Sequence, residues 1–187
     1  MWLFYASLTE RASSIGEEES SLRTFKSPRQ FAQFLESAIP RMSSGMREGG
    51  HKAGAMLVEE AKNILGSYPP PGPADRFGLS GMLPYDPMRQ WQELAPITVH
   101  EKTELGYSPP DNPLVRTGEM RDSISYEIAL DSRAMVIVVG SDVPYAVDQE
   151  LGTERIPSRP FLGRAVYEHH REAIQVVLVE MMRPVLR

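Results

Sequence analysis

Histidine and glutamate one helical turn apart can present two ligands to a metal ion, and the sequence offers that pair at His169 and Glu172. No third ligand stands at a recognisable spacing, and the order is not that of a zinc or di-iron motif. His51, His100 and His170 add no ligand pattern. A hydroxyl nucleophile needs a base beside it. Gly78-Leu79-Ser80-Gly81 falls short of a Gly-x-Ser-x-Gly elbow, and no Gly-x-x-x-x-Gly-Lys phosphate loop occurs. Glu59-Glu60 lies on a helix that needs a polar face. The residues therefore call for no enzyme, no metal and no cofactor; a small metal-dependent hydrolase using His169 and Glu172 is the rival reading.

Arginine is more suggestive. The chain has 16 arginines and four lysines, and nine arginines follow Pro113, interleaved with acids as in Glu119-Met120-Arg121-Asp122 and Glu154-Arg155. One reading is a surface of ion pairs, each contributing little. The other is contact between complementary faces of subunits, because the guanidinium fork suits carboxylates at interfaces. On that reading Arg116, Glu119, Glu154, Arg155 and Arg164 are the interface candidates.

Composition bounds both readings. The chain has 187 residues, with 20 Lys+Arg against 25 Asp+Glu and no cysteine. Disulfides, thiolate zinc sites and cysteine nucleophiles are excluded. A net charge of −5 lacks the basic footprint of a nucleic-acid-binding domain. No apolar run approaches the ~18 residues of a spanning helix. The opening Met1-Trp2-Leu3-Phe4-Tyr5 has no basic residues before it, so the expectation is a soluble, non-secreted protein.

The elements that must position these residues follow from periodicity. Residues 1–26 read as an N-terminal strand or arm, with Trp2, Phe4, Ala6 and Leu8 on one face and Glu17-Glu18-Glu19 solvated. Residues 27–65 read as helical. Ser27 caps, Pro28 fits the first position and Gln30 completes a capping box. Phe31, Phe34, Leu35 and Ala38 share a face, and Pro40 is expected to break or kink the helix. A second run resumes after Gly49-Gly50, with Ala53, Met56, Leu57, Ala61 and Ile64 as its stripe and Gly66 as its end.

Ten of the 16 prolines fall between Gly66 and Pro113, so 66–113 reads as a long loop insertion. Residues 114–187 read as a β-hairpin plus a helix. Ile124, Tyr126, Ile128 and Leu130 alternate with polar or small residues, and Met135–Gly140, apolar on both faces, reads as a central strand. Asp131-Ser132-Arg133 is the turn. The last helix is expected from about Pro160 to Met182, with Leu162, Ala165, Val166, His169, Ile174, Val177, Leu178 and Met181 as its stripe. The fold class is α+β: an antiparallel sheet packed by a long N-terminal helix and a C-terminal helix, forming one domain over 27–187.

Short motifs in the second half resemble one family. Trp91, Leu94-Ala95-Pro96-Ile97-Thr98 and Lys102 form the first station. Leu114-Val115-Arg116-Thr117-Gly118-Glu119-Met120-Arg121-Asp122-Ser123-Ile124 forms the second. Val139-Gly140, Tyr145-Ala146 and Glu150-Leu151-Gly152-Thr153 follow, then Pro157-Ser158-Arg159-Pro160-Phe161-Leu162 with Ala165. In this order they resemble the tail-completion (neck, tail-terminator-like, virion-morphogenesis) proteins of long-tailed double-stranded DNA bacteriophages. Leu151 stands where that family commonly has an aromatic, and residues 1–25 have no counterpart.

The motifs also have local physical sense. Thr117 can cap a turn, Gly118 lets the chain reverse, Gly152 can end a short helix in a left-handed conformation, and Phe161 can anchor a core.

The resemblance implies a structural subunit of a hexameric ring in the neck, capping the tail tube and docking on the head-closure or connector ring. The tape measure protein is a further implied partner. DNA would pass through a channel without sequence-specific contact, for which an acidic or neutral wall is suited. The implied location is the virion, after assembly in the bacterial cytoplasm, with no membrane. A head-closure stopper or minor tail protein is the nearest alternative. Residues 66–90 are expected to act as an arm reaching a neighbouring subunit or ring.

Overall fold

The computed structural model describes residues 24–70, 72, 86–130 and 134–186. The expected strand and the acidic run near the N-terminus, Gly78–Gly81 and the Asp131–Arg133 turn lie outside these. The elements are α1 (Pro28–Ile64), α2 (Pro96–Glu104), α3 (Glu119–Ser123), β1 (Ile124–Leu130), β2 (Met135–Ser141), α4 (Ala146–Leu151) and α5 (Leu162–Leu186). The chain groups into two compact units, residues 1–37 and 38–187. The architecture is α+β, with α1 and α5 packed against a two-stranded antiparallel sheet.

In the first unit, Ser27 Oγ accepts the Gln30 N–H at 3.2 Å, as a capping serine does. The glutamine reaches back one residue further than in a standard box, taking the Lys26 N–H at 2.8 Å. The Phe25 ring contacts those of Phe31 and Phe34 at 5.1 and 5.2 Å.

Of the break or kink expected at Pro40, the break does not occur, and neither does the fresh start expected after Gly49-Gly50. α1 runs through both Pro40 and Gly49-Gly50. A proline inside a helix costs about 3 kcal/mol, and each glycine about 1 kcal/mol against alanine. Tertiary packing offsets these costs. Gly45 and Gly49, one turn apart, let α5 approach so closely that a Cβ on Gly49 would stand 2.7 Å from the Val177 Cα. Gly45 meets the Glu180 carbonyl. Pro184, lacking an N–H, cannot donate to that carbonyl within α5. Arg41 Nη1 donates to the Pro184 carbonyl at 3.1 Å. Gly50 and Gly54 face the hairpin, against Met135 and the Tyr126 ring.

This close contact also selects which side of α5 is buried. The expected stripe included Val166, Ile174 and Leu178, which are exposed, whereas Arg164, Ala165, Tyr167, Ala173 and Glu180 are buried. The small side chain of Ala173 joins Ala53 and Leu57 in one cluster, with Val176 and Val177 at its edge. The helix also continues past Met182 to Leu186.

The hairpin pairs Ile124 with Ser141 through Leu130 with Met135. β1 alternates as expected, with Ile124 buried and Ser125, Glu127 and Ala129 exposed. β2 is not a central strand among the described residues. Its Val136 and Val138 are 50% and 56% exposed, while Met135, Ile137 and Val139 turn inward. The larger core gathers Ala61, Leu65, Trp91, Met120, Ile124, Ala146, Phe161 and Ala165.

Intrinsic propensity and packing predict opposite signs for Gly45→Ala. Alanine is favoured in a helix by about 1 kcal/mol. Here its methyl group meets the α5 backbone, so a net loss of about 2 kcal/mol is expected in urea unfolding. A gain in stability would show that the two helices do not touch at this position.

Candidate functional site

The family-like stretches around Glu150 and Phe161 fold into one structure. Gly152 ends α4 with φ 79° and ψ 170°. This is a positive-φ but extended geometry, not the left-handed helical one expected from sequence, and it is essentially restricted to glycine. A Cβ there would also stand 2.7 Å from the Ser158 nitrogen. The tight return lets Thr153 Oγ1 accept from the N–H groups of Arg155 and Ile156 at 3.2 and 3.1 Å.

The chain then lies back along α4. The Arg159 N–H donates to the Gln149 carbonyl at 2.7 Å, and Ser158 Oγ donates to the Glu150 carbonyl at 2.8 Å.

The buried Glu150 carboxylate completes this return. Oε2 accepts the N–H groups of Phe161 and Leu162 at 2.8 and 3.0 Å, and Oε1 accepts that of Gly163 at 2.8 Å. A helix leaves its first N–H groups without internal partners and carries partial positive charge at that end. One carboxylate supplies both needs for α5.

Beside this clamp lies a groove of about 850 Å³, walled by α2, the stretch 112–120, Tyr145, Gln149 and the stretch 155–159. Lys102 is buried and donates from Nζ to the Asn112 carbonyl at 2.6 Å; burial holds its amine below the ordinary lysine value. Arg159 is also buried. Its Nη2 donates to the Gln92 carbonyl at 3.0 Å, Nε has no partner among the described residues, and burial lowers its pKa.

Arg116 bonds Glu101 at 2.6 Å and lies 5.5 Å from the Tyr107 ring centroid. That bond raises the Arg116 pKa above its usual value. Tyr145 donates its hydroxyl to Glu119 at 3.0 Å; partial desolvation, then Glu119, raise its pKa. Gly118 has φ 89°, and Thr117 Oγ1 accepts the Glu119 N–H at 3.4 Å, so the expected turn forms at this glycine.

Of the residues singled out from sequence, Thr98, Arg116, Thr117, Gly118, Glu119, Tyr145, Arg155 and Arg159 line this groove. Trp91, Ile124 and Phe161 lie in the core beneath, with Leu162 packed at its edge. Ser158 and Pro160 are buried in the return from α4, while Arg121, Thr153 and Glu154 are exposed. Pro96 opens α2. Ser123 bonds Ser141 across the hairpin at 2.6 Å, and Gly140 has open space where a Cβ would stand.

Arg164 is not an interface residue. It is 2% exposed, with Nε donating to Glu168 and Nη2 to the Pro70 carbonyl, so its guanidinium braces the chain internally.

The ends of the proline-rich window are likewise tied to the second unit. Tyr68 accepts the Leu94 N–H and donates to the Asp111 carbonyl, and Gly66 donates to the Pro113 carbonyl. The window also contains α2, which was not expected; residues 73–85 lie outside the described ones. Lys102, singled out in the first motif station, also lines the groove, while Gln149 was missed; that Lys102 is buried and bonds the Asn112 carbonyl, 10 positions on, had no local signal.

His169 stands between two carboxylates, with Nδ1 3.1 Å from Glu172 and Nε2 3.6 Å from Glu60. Among the described residues no group of three or more histidines, aspartates or glutamates is arranged to hold a metal ion. No described helix is long and apolar enough to cross a membrane. Set beside family models, curated proteins and solved structures, the chain matches none.

Glu150→Gln tests the clamp. The amide oxygen can still accept, but the NH2 would face a backbone N–H, and the charge at the start of α5 is lost. A destabilisation of about 2 kcal/mol is expected in chemical unfolding. A change below about 0.5 kcal/mol, the range of ordinary surface substitutions, would mean that the carboxylate does not organise this end of α5.

Proposed function

We propose that this chain is a structural subunit of a ring in the neck of a long-tailed double-stranded DNA bacteriophage. Its work is to complete the tail and join it to the head while leaving a channel for DNA. The reading rests on the family-like motifs, and one observation carries it. Stretches separated along the chain, around Thr98, Thr117, Tyr145, Glu150 and Arg159, meet at one groove and the clamp beside it. The contacts of Glu150, Ser158 and Arg159 are caps and braces on backbone groups, the chemistry of a scaffold that must hold its shape.

The surface is compatible with this work. A ring built from heterologous contacts needs two different complementary patches on each subunit. The outer face of the sheet offers Val136 and Val138, and α5 offers Ile174, Leu178 and Val179, each at least 49% exposed. Exposed apolar groups of this kind mark interaction surfaces when they cluster. Arg116, Glu119, Glu154 and Arg155 remain available as polar contacts in such an interface.

The purified chain is expected to form rings, or to seat on tail tubes or head–tail connectors, in electron micrographs. Val138→Lys is expected to abolish that assembly while changing subunit stability by no more than about 1 kcal/mol, because the side chain is exposed and a lysine there stands opposite Glu127. A chain that stays monomeric and seats on neither tubes nor connectors would overturn the proposal.

A further inference from the structure

The groove beside α2 holds cations that its own carboxylates do not neutralise. Lys102 and Arg159 are each 5% exposed. Among the described residues neither has a carboxylate within ion-pair distance: both donate to neutral backbone carbonyls, and Arg159 Nε donates to nothing. Arg155, on the same wall, is exposed and also lacks an ion-pair partner among the described residues. Arg116 is matched by Glu101, and Glu119 is engaged by the Tyr145 hydroxyl. Glu93 is the remaining acid in the lining.

Placing a cation in a poorly solvated site without a counter-charge is costly, and an arriving carboxylate relieves that cost. Burial lowers the pKa of both; the Asp111 carboxylate partly offsets this at Lys102, whereas no carboxylate does so at Arg159.

We propose that this groove binds an acidic peptide segment of a partner protein, with its carboxylates meeting Arg155 and Arg159. The volume of about 850 Å³ is within the range of ligand sites that bury most of their occupant. Leu94, Leu114 and Ile156 in the walls suit the apolar parts of a peptide. A nucleic-acid backbone fits less well: Glu93, Glu101 and Glu119 interrupt the cations, and an unbroken row of phosphates cannot skip them as carboxylates spaced by apolar residues can. Arginine, with its planar fork, recognises a carboxylate through paired bonds. This inference goes beyond the ring proposal and does not depend on it, because binding is measured on the isolated chain whether or not rings form.

The test is a titration of the full chain with a fluorescent peptide alternating glutamate and leucine, its glutamine counterpart, citrate and a single-stranded oligonucleotide. The glutamate peptide is expected to bind about tenfold tighter than the glutamine peptide, a difference the size of one or two charge-assisted contacts. Arg155→Glu is expected to remove most of that difference with an unchanged melting temperature, since this side chain braces nothing. In the unsubstituted chain, amide shifts induced by the peptide are expected at Thr117, Gly118 and Arg155. Equal affinity for the two peptides, binding of citrate without the peptide, or an oligonucleotide that binds as tightly would each overturn the proposal. So would an Arg155→Glu chain that binds unchanged.

Discussion

The contact on which most of this structure depends is the Glu150 carboxylate set against the N–H groups of Phe161, Leu162 and Gly163. It closes a circuit. α4 supplies the glutamate, Gly152 reverses the chain, and Ser158 and Arg159 bond back to the carbonyls of residues 150 and 149. The start of α5 then returns to the carboxylate. The circuit fixes where α5 begins, and Phe161 enters the core fully buried from that point. It also carries Arg159 to the groove, where the guanidinium bonds Gln92 next to Trp91. Moving this return would therefore disturb the helix, the core and the groove wall together.

A second constraint acts along α5. Glycines in α1 let the two helices approach backbone to backbone, and the contact turns Ala173 and Val177 inward while leaving Ile174 and Leu178 in solvent. The buried Glu180 is held there by Lys52 at 2.9 Å and Arg183 at 2.8 Å. The hydrogen bond to Glu180 is also the main reason the Lys52 pKa is raised. The result is a subunit whose interior is braced by backbone and charge contacts, with apolar side chains left on both its sheet and its last helix. That combination suits a part whose work is to be held by neighbours.

Much of the fold was legible in the sequence. Alternation over Ile124–Leu130 gave the strand, Ser27-Pro28 gave the start of α1, and the run from Phe161 gave the last helix. The errors have a common physical origin. Pro40 and Gly49-Gly50 read as interruptions because local propensity opposes helix there, and the packing that overrides it at the glycines comes from far along the chain, from Val177 and Glu180 and from Ile128 and Met135. The α5 stripe held at Leu162, Ala165, His169, Val177 and Met181 but was drawn too wide: Val166, Ile174 and Leu178 are apolar yet exposed, and the close contact with the α1 glycines sets the inward side. Glu150, Gly152 and Arg159 stood out as members of motifs, but their joint role as one clamp needed the folded return to appear. Arg164 looked like a surface arginine because arginine is usually exposed; only the Pro70 carbonyl and Glu168 explain its burial.

The most direct test of the clamp as the organising contact is amide hydrogen exchange across residues 149–165, followed by nuclear magnetic resonance. If the clamp holds as described, the N–H groups of Arg159, Phe161, Leu162 and Gly163 exchange slowly, opening together and at the same rate as Ala53, Leu57 and Ala61 in the core of α1. Rapid, independent exchange at those four amides, with the rest of α5 still protected, would contradict it.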